Sequence, residues 1–390
     1  MNAGGIGAAG IKALFLAYFT WVGLFSPYLS LYLAAIGLTI AEIGVLLAVP
    51  QVLRIVGPPF WGWMADRSGS RVVLLRVSSV GALAGALLLP LAGDRFAALL
   101  PVLALLYFMT AAQMPIGETI AMHASGGDAG RYGRIRIWGS AGFIVGVVAM
   151  GPVLDAWGMR TLPWWTAAIM LGLVASAWRM RAVPAPRAGP PAMRVRERLR
   201  QPRVRAFFAS AFLMLFAHAA LYAFLSLYLA QLGYSKTAIG LLWAVGVVAE
   251  IAVFWVQRRL FERFGAIRLL HASLWVAALR FALIGLAATW LPALVLAQLL
   301  HAVTFGIHHS ATVATLQRWF EPAQHARAQA LYVTVGYGLG GALGVLVATA
   351  VWSAVSPSAA FLVSAAAAAL GGWVFRRCRE PMGEAGGADG

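Results

Sequence analysis

Arg54, Glu250, Arg280 and His301 each interrupt a long apolar run, and their types suit anion binding and proton exchange. A carboxylate in low dielectric is poised between two forms: burial opposes its charge and a nearby guanidinium favours it. If Arg280 approaches and leaves Glu250, the carboxyl releases a proton and takes one up. His301 is then a relay or hydrogen-bond partner, with Gln298 one turn before it on the same helix face. A static Glu250–Arg280 pair that only fixes packing is the alternative. Arg54 has Glu118 and Glu250 as its nearest acidic candidates, and its guanidinium equally suits a bidentate contact to a substrate carboxylate. Tyr18, Trp21, Phe25 and Tyr28 follow helical spacing, as Tyr222 and Phe224 near Tyr228 do less cleanly. Such rings line an aromatic cavity or serve as a packing or lipid-facing surface. His218 faces the same cavity or bonds to a neighbouring helix.

The elements that hold these residues follow from composition. Apolar residues make up 61% of the 390 and charged residues 11%, against about 45–50% and about 25% in soluble domains. A soluble protein this apolar would leave much of its surface uncovered, whereas a bilayer requires it, because a central charge costs roughly 2.5–3.5 kcal/mol on insertion scales. At about 20 apolar residues per span, the sequence divides into twelve helices at 11–36, 40–64, 72–93, 97–122, 135–155, 162–180, 205–231, 237–260, 268–289, 291–319, 329–352 and 357–376. Residues 1–10 lack the basic start of a cleaved signal, so the first helix reads as a span. The expected organisation is a six-helix bundle over 1–180, a Pro-, Ala- and Arg-rich cytoplasmic linker over 181–204 with a short basic amphipathic helix, a second six-helix bundle over 205–379, and a disordered tail over 380–390.

The net charge of +17 does not indicate a nucleic-acid partner. Of the 30 basic residues, 24 fall in six segments: 67–76, 131–136, 179–205, 258–268, 318–327 and 376–379. The connections between these hold only Arg95, Arg160 and Lys236. This alternation follows the positive-inside rule and places the basic loops and both termini in the cytoplasm. The single cysteine, Cys378, leaves no disulfide framework. Of His301, His308 and His309, the first two share a helix face as i and i+7, but no Asp/Glu-rich or Cys ligand set accompanies them and zinc takes three or four ligands, so neither a metal nor another cofactor is expected, and the chain does not read as an enzyme.

The chain also contains one stretch twice, 196 residues apart: Leu29–Ala34 recurs as Leu225–Ala230, Gly37 falls on Gly233, Ile43-Gly44 on Ile239-Gly240, Arg67 on Arg263 and Gly69 on Gly265. At the same offset Arg54 meets Glu250. A duplicated membrane half with an ionisable residue at matching depth in each copy suits two bundles rocking about a central site. Depth can be placed from helix rise. Glu250 lies about 20 Å from the outer end of helix eight, Arg280 about 18 Å from the inner end of helix nine, and His301 about 15 Å below the outer end of helix ten. Opposite charges at one level suggest a pair, since neither is tolerated alone.

After helix two comes Gly62-Trp63-Met64-Ala65-Asp66-Arg67-Ser68-Gly69-Ser70-Arg71. This stretch resembles the G-x-x-x-D-R-x-G-R-R loop of the major facilitator superfamily, departing from it at Ser70. The resemblance implies a cytoplasmic latch in which Gly69 makes the turn, Asp66 bonds the end of a neighbouring helix, and Arg67 and Arg71 anchor the face. Phe261-Glu262-Arg263-Phe264-Gly265 is a degenerate second copy. Pro27-Tyr28-Leu29 with Arg54–Pro59, and His301–Gly306 with Gln329–Tyr332, resemble the phenylpropionate permease group, which is akin to the lactose and nucleoside proton symporters. In the lactose permease pattern a Glu precedes an Arg by 18 residues within Gly-Arg-x-Arg, as Glu118 precedes Arg136 within Gly133-Arg134-Ile135-Arg136. Glu250, Arg280 and His301 match that pattern too, whereas the acid expected one turn beyond the His is replaced by Thr304.

The resemblance implies an all-α membrane protein of two pseudo-symmetric six-helix bundles. It further implies proton-coupled symport, by alternating access, of a small-molecule substrate across a bacterial inner membrane, by a chain functional as a monomer. Within that frame Glu250, Arg280, His301, Glu118 and Arg136 are the expected proton-coupling residues. Arg54, Tyr18, Trp21, Tyr28, His218 and Gln298 are the expected substrate contacts. An aromatic or other monocarboxylate is the leading substrate, ahead of a nucleoside or sugar, or of drug efflux. A receptor or scramblase that does not transport is the reading from another class.

Overall fold

The computed structural model describes residues 4–126, 128–180 and 195–378. Among the described residues, twelve helices are long and apolar enough to span a bilayer: α1 Ala9–Ala35, α2 Ile40–Ser68, α3 Arg71–Ala92, α4 Phe96–Ala124, α5 Gly130–Trp157, α6 Met159–Trp178, α7 Pro202–Gln231, α8 Lys236–Phe264, α9 Ala266–Ala287, α10 Leu291–Trp319, α11 Pro322–Ala354 and α12 Pro357–Phe375. Helix is the only open structure a lipid-exposed backbone can adopt, because each N–H and C=O must be satisfied within its own segment. Several helices outrun the hydropathic segments that announce them. The first turns of α11, from Pro322 through His325, are too polar to register as a span, yet they continue the same helix. Of the expected linker, residues 181–194 lie outside the described residues; a short helix forms at Arg196–Leu199, and α7 already begins at Pro202. The expected tail at 380–390 also lies outside them.

The repeat in sequence is in part a repeat in conformation. The α1–α2 and α7–α8 turns both pass through positive-φ glycines, Gly37 (φ 98°) and Gly233 (φ 90°), whereas the glycines that end α2 and α8 share a positive φ but differ in ψ, Gly69 at φ 65°, ψ −3° and Gly265 at φ 74°, ψ 155°. Both second helices start on a hydroxyl cap: the Thr39 side chain accepts from the backbone of Glu42, and Ser235 from that of Ala238. Within each half the tightest crossing is also duplicated. Gly142 and Gly146 of α5 sit against the backbone carbonyls of Leu16 and Thr20 on α1, while Gly340 and Gly344 of α11 sit against those of Phe212 and Phe216 on α7. These Gly-x-x-x-Gly ridges let backbones touch where lipid supplies no hydrophobic drive. Gly146→Leu is therefore expected to separate α1 from α5, costing more than the ~1–3 kcal/mol of ordinary overpacking. The measurement is a fall in the monodisperse fraction on size-exclusion and in melting temperature.

The halves meet through α5 with α8, α2 with α11 and α1 with α7. The hydrogen bonds between them gather at one end, called here the closed end. There the Asp155 carboxylate at the end of α5 accepts from the backbone N–H of Lys236 (3.0 Å) and Thr237 (2.8 Å) and from the Thr237 hydroxyl (2.6 Å) at the start of α8. The Tyr28 hydroxyl lies 2.9 Å from the Val147 carbonyl and 3.1 Å from that of Lys236, and Gly44 packs against Thr349. Further along α2, Gln51 and Ile55 still pack under Gly341 and Gly338 of α11, but Gly62 has open space within 4 Å. The opposite end carries the basic loops, and the halves part toward it.

Candidate functional site

Between the halves lies a cavity of about 460 Å³. One wall is a ring cluster from the first half: Trp21 lies 5.6 Å from Phe25 and 5.8 Å from Tyr107, with Tyr18 beside it at 5.7 Å. The facing wall has Tyr222 stacked on Trp243 at 6.0 Å, with Phe305 and Tyr337 nearby. Trp243 is held by its indole N–H, which donates to Ser226 at 3.0 Å.

Arg54 lines this cavity from the middle of α2 and is exposed to it. Its guanidinium sits 5.5 Å over the Tyr337 ring, and among the described residues it makes no ion pair. Neither of its expected acidic partners holds it. Glu118 is paired with Arg136 at 4.0 Å, and Arg136 also lies 4.6 Å over the Phe19 ring. Arg54 is thus a cavity cation that faces the Tyr337 ring and, among the described residues, pairs with no carboxylate.

Across the cavity the acidic site differs from the expected Glu250–Arg280 pair. His301 stands between them: its Nε2 is 3.7 Å from the Glu250 carboxylate and its Nδ1 is 3.1 Å from Arg280 Nη1. Arg280, only 1% exposed, is taken up by α10. It donates to the Ala297 carbonyl (2.7 Å), the Thr304 hydroxyl (3.0 Å) and Gln298 Oε1 (3.4 Å). The reason is packing. Helices α8 and α9 are neighbours in sequence, but α10 packs against both and interposes its own side chains. A π-helical stretch at Ala302–Ile307 follows His301 directly; such widened turns recur at functional sites. Gly306 within it leaves room for the Glu250 side chain, whose Cγ would lie 3.1 Å from an added Cβ. A second π-helical stretch, Val333–Gly340, carries Tyr337.

The structure therefore gathers Tyr18, Trp21, Arg54, Arg136, Glu250 and His301 around one cavity. Three expected substrate contacts do not line it. Tyr28 is fully buried as the clamp at the closed end. His218 is buried against Phe281 at 5.0 Å, with Nδ1 2.9 Å from the Met214 carbonyl one turn back. Gln298 is buried behind His301 as a partner of Arg280. Tyr107, Trp243, Phe305 and Tyr337 line the cavity without having been singled out in the sequence. Their helices carry so many aromatic residues that spacing alone does not separate cavity faces from lipid faces.

The Gly62–Arg71 loop forms a turn of its own. Asp66 lies 3.4 Å from Arg71 at the start of α3, Gly69 supplies the left-handed residue, and Arg67 sits 5.6 Å over Trp63. Gly62 faces open space. In the second copy Glu262 pairs instead with Arg258, one turn earlier, at 2.8 Å. Each half also ties its third helix to its sixth by a side chain on a terminal carbonyl. Arg76 donates to Ala177 and Met180 (3.3 and 2.9 Å), and His271 Nε2 lies 3.1 Å from the Gly372 carbonyl.

Comparison with known proteins agrees with this architecture. The chain is 29% identical over 340 residues to a probable 3-phenylpropionic acid transporter of Escherichia coli (strain K12), covering 83% of this chain and 86% of that protein. It is 29% identical over 345 residues to the maltose permease of Geobacillus stearothermophilus, covering 86% of each. A shorter match, 30% over 168 residues and 39% of this chain, is to the multidrug resistance protein MdtG of Klebsiella pneumoniae (strain 342), covering 40% of it. Among solved structures, the nucleoside transporter NupG superposes with a TM-score of 0.84 at 17% identity, covering 97% of this chain and 99% of that one. The MFS_1-like family model matches residues 9–363, and the chain therefore belongs to that family of major facilitator proteins, as a multi-pass secondary transporter of the bacterial inner membrane.

Proposed function

We propose that the protein is a proton-coupled symporter of a small organic monocarboxylate, with an aromatic acid such as 3-phenylpropionate as the leading substrate. The observation that carries this reading is Arg54: a guanidinium that pairs with no carboxylate among the described residues, facing a cavity walled by aromatic rings. A carboxylate on Arg54 and an aryl group between the ring clusters would use both features. Glu250 takes the proton, His301 couples it to Arg280, and the chain works as a monomer, each copy holding a complete cavity. The basic end is cytoplasmic, so this conformation faces inward. The direct experiment is uptake of labelled 3-phenylpropionate by proteoliposomes under an imposed pH gradient. Uptake that needs the gradient and stops with a protonophore is the expected result; uptake indifferent to both would overturn the coupling.

A neutral sugar or nucleoside is the second reading, favoured by the maltose permease relative and by the uncharged polar lining of Ser26, Gln51 and Ser140. Under it, maltose or uridine would be transported and Arg54 would be dispensable.

Alternating access requires the closed end to open. Asp155 holds that end through three hydrogen bonds from α8, so Asp155→Ala should release α8 from α5. Spin-label distances across the closed end are expected to shift toward the separated population by about tenfold, the equivalent of one charge-assisted bond. An unchanged distance distribution would mean that the carboxylate does not hold the gate.

A further inference from the structure

We propose that a second pocket, of about 250 Å³ at the basic end of the second half, binds a phosphate group, presented by an anionic lipid at the bilayer boundary or arriving as free phosphate. The pocket is lined by Arg198, Arg203, Arg318, Trp319, Phe320 and Glu321. Among the described residues, three guanidiniums thus line one space with a single carboxylate.

Its position in the fold selects the ligand. Arg203 is the second residue of α7 and Arg318 the last but one of α10, so two side chains of the pocket stand where spans leave the apolar slab. That is the level at which lipid phosphates lie and where basic clusters meet them. Arg198 comes from the short helix just before α7, which brings the end of the interdomain connection into the same site. Packed aromatic rings stand behind the arginines. Trp319 and Phe320 are 6% and 3% exposed, and they meet Phe207 at 5.7 Å and Phe208 at 6.5 Å, respectively. The Arg203 guanidinium lies 5.4 Å over the Trp319 ring, and its carbonyl accepts from the buried Cys378 thiol at 3.2 Å. An arginine fork held against an aromatic face is oriented for a tetrahedral oxyanion.

Glu321 is the built-in competitor. It lies 3.7 Å from Arg198, with side chains 54% and 36% exposed. A pair this solvated is weak and readily exchanged. A phosphate offers more acceptor oxygens to the same guanidinium, and binding it draws Arg198 away from Glu321.

The test is native mass spectrometry of the full chain in detergent, titrated with phosphatidylglycerol, with phosphatidylcholine, and with phosphatidylglycerol in the presence of inorganic phosphate. One phosphatidylglycerol is expected to bind in preference to phosphatidylcholine. The double variant Arg203→Gln/Arg318→Gln should weaken it about tenfold or more. Arg259→Gln/Arg268→Gln, which removes two exposed arginines of the basic end outside the pocket, should leave it unchanged. Glu321→Gln should tighten it, a gain that misfolding cannot imitate. Displacement by inorganic phosphate identifies free phosphate as a ligand of the pocket, and persistence in its presence identifies the lipid. Equal loss in both double variants, no preference for phosphatidylglycerol, or no effect of Glu321→Gln would overturn the proposal.

Discussion

Arg54→Gln is expected to raise the KM for uptake of an aromatic carboxylate about tenfold or more while leaving the protein folded. The side chain is exposed to the cavity and makes no ion pair among the described residues, so removing its charge leaves no carboxylate unpaired. What is lost is the contact to the substrate. A charge-assisted bidentate bond is worth roughly 1.5–3 kcal/mol, a ten- to hundredfold loss in apparent affinity, and the solvation of Arg54 places the effect toward the lower part of that range. Arg54→Lys should recover only part of it, because a point charge does not reproduce the planar fork. The decisive comparison is between substrates. If Arg54→Gln transports 3-phenylpropionate with an unchanged KM, the carboxylate reading fails. If it retains transport of maltose or uridine, the neutral-solute reading takes its place.

Glu250→Gln is expected to remove concentrative uptake while sparing exchange. The amide keeps the shape of the side chain beside Gly306 and can still bond to His301, but it cannot carry a proton. Proteoliposomes bearing it should therefore equilibrate substrate and perform counterflow, with the accumulation ratio falling to about one because no proton is coupled to the movement. Rocking of the halves is expected to alter the contact between His301 and Glu250, not a direct contact with Arg280, since Arg280 already donates to four groups of α10. His301→Ala should accordingly impair coupling as strongly as loss of Glu250, whereas a direct Glu250–Arg280 mechanism would leave it nearly intact. Accumulation by Glu250→Gln at the unsubstituted level would remove this carboxylate from the proton path.

Much of the architecture was legible without coordinates because the bilayer imposes it. Twelve apolar segments, basic residues concentrated in alternate connections and an ungapped repeat at offset 196 together lead to two six-helix bundles, and the paired glycines at 37 and 233 and at 69 and 265 all take positive φ. Helix rise also brought Glu250, Arg280 and His301 to overlapping depth. Depth is one coordinate, however, and azimuth and neighbour are the others. Tyr28 shares helical spacing with Trp21 and Phe25, yet its hydroxyl clamps the Val147 and Lys236 carbonyls at the closed end. His218 and Gln298 lie at suitable depth but behind the cavity wall. Asp155 is a single acid at a helix end, and only the approach of α8 gives it a role.

By itself, then, the sequence determined how many times the chain crosses the membrane, that it is duplicated, and which charged residues must be sheltered, because apolar length and charge cost act along one chain. The tertiary structure alone decided that α10 lies against both α8 and α9, so that His301 separates Glu250 from Arg280 and Arg54 is left facing the rings. Those pairings depend on which helix faces meet, and between apolar helices in lipid that is set by close backbone approach at glycines far from the site. Hydrophobic periodicity is nearly silent there, since the lipid-facing and protein-facing sides are alike in polarity.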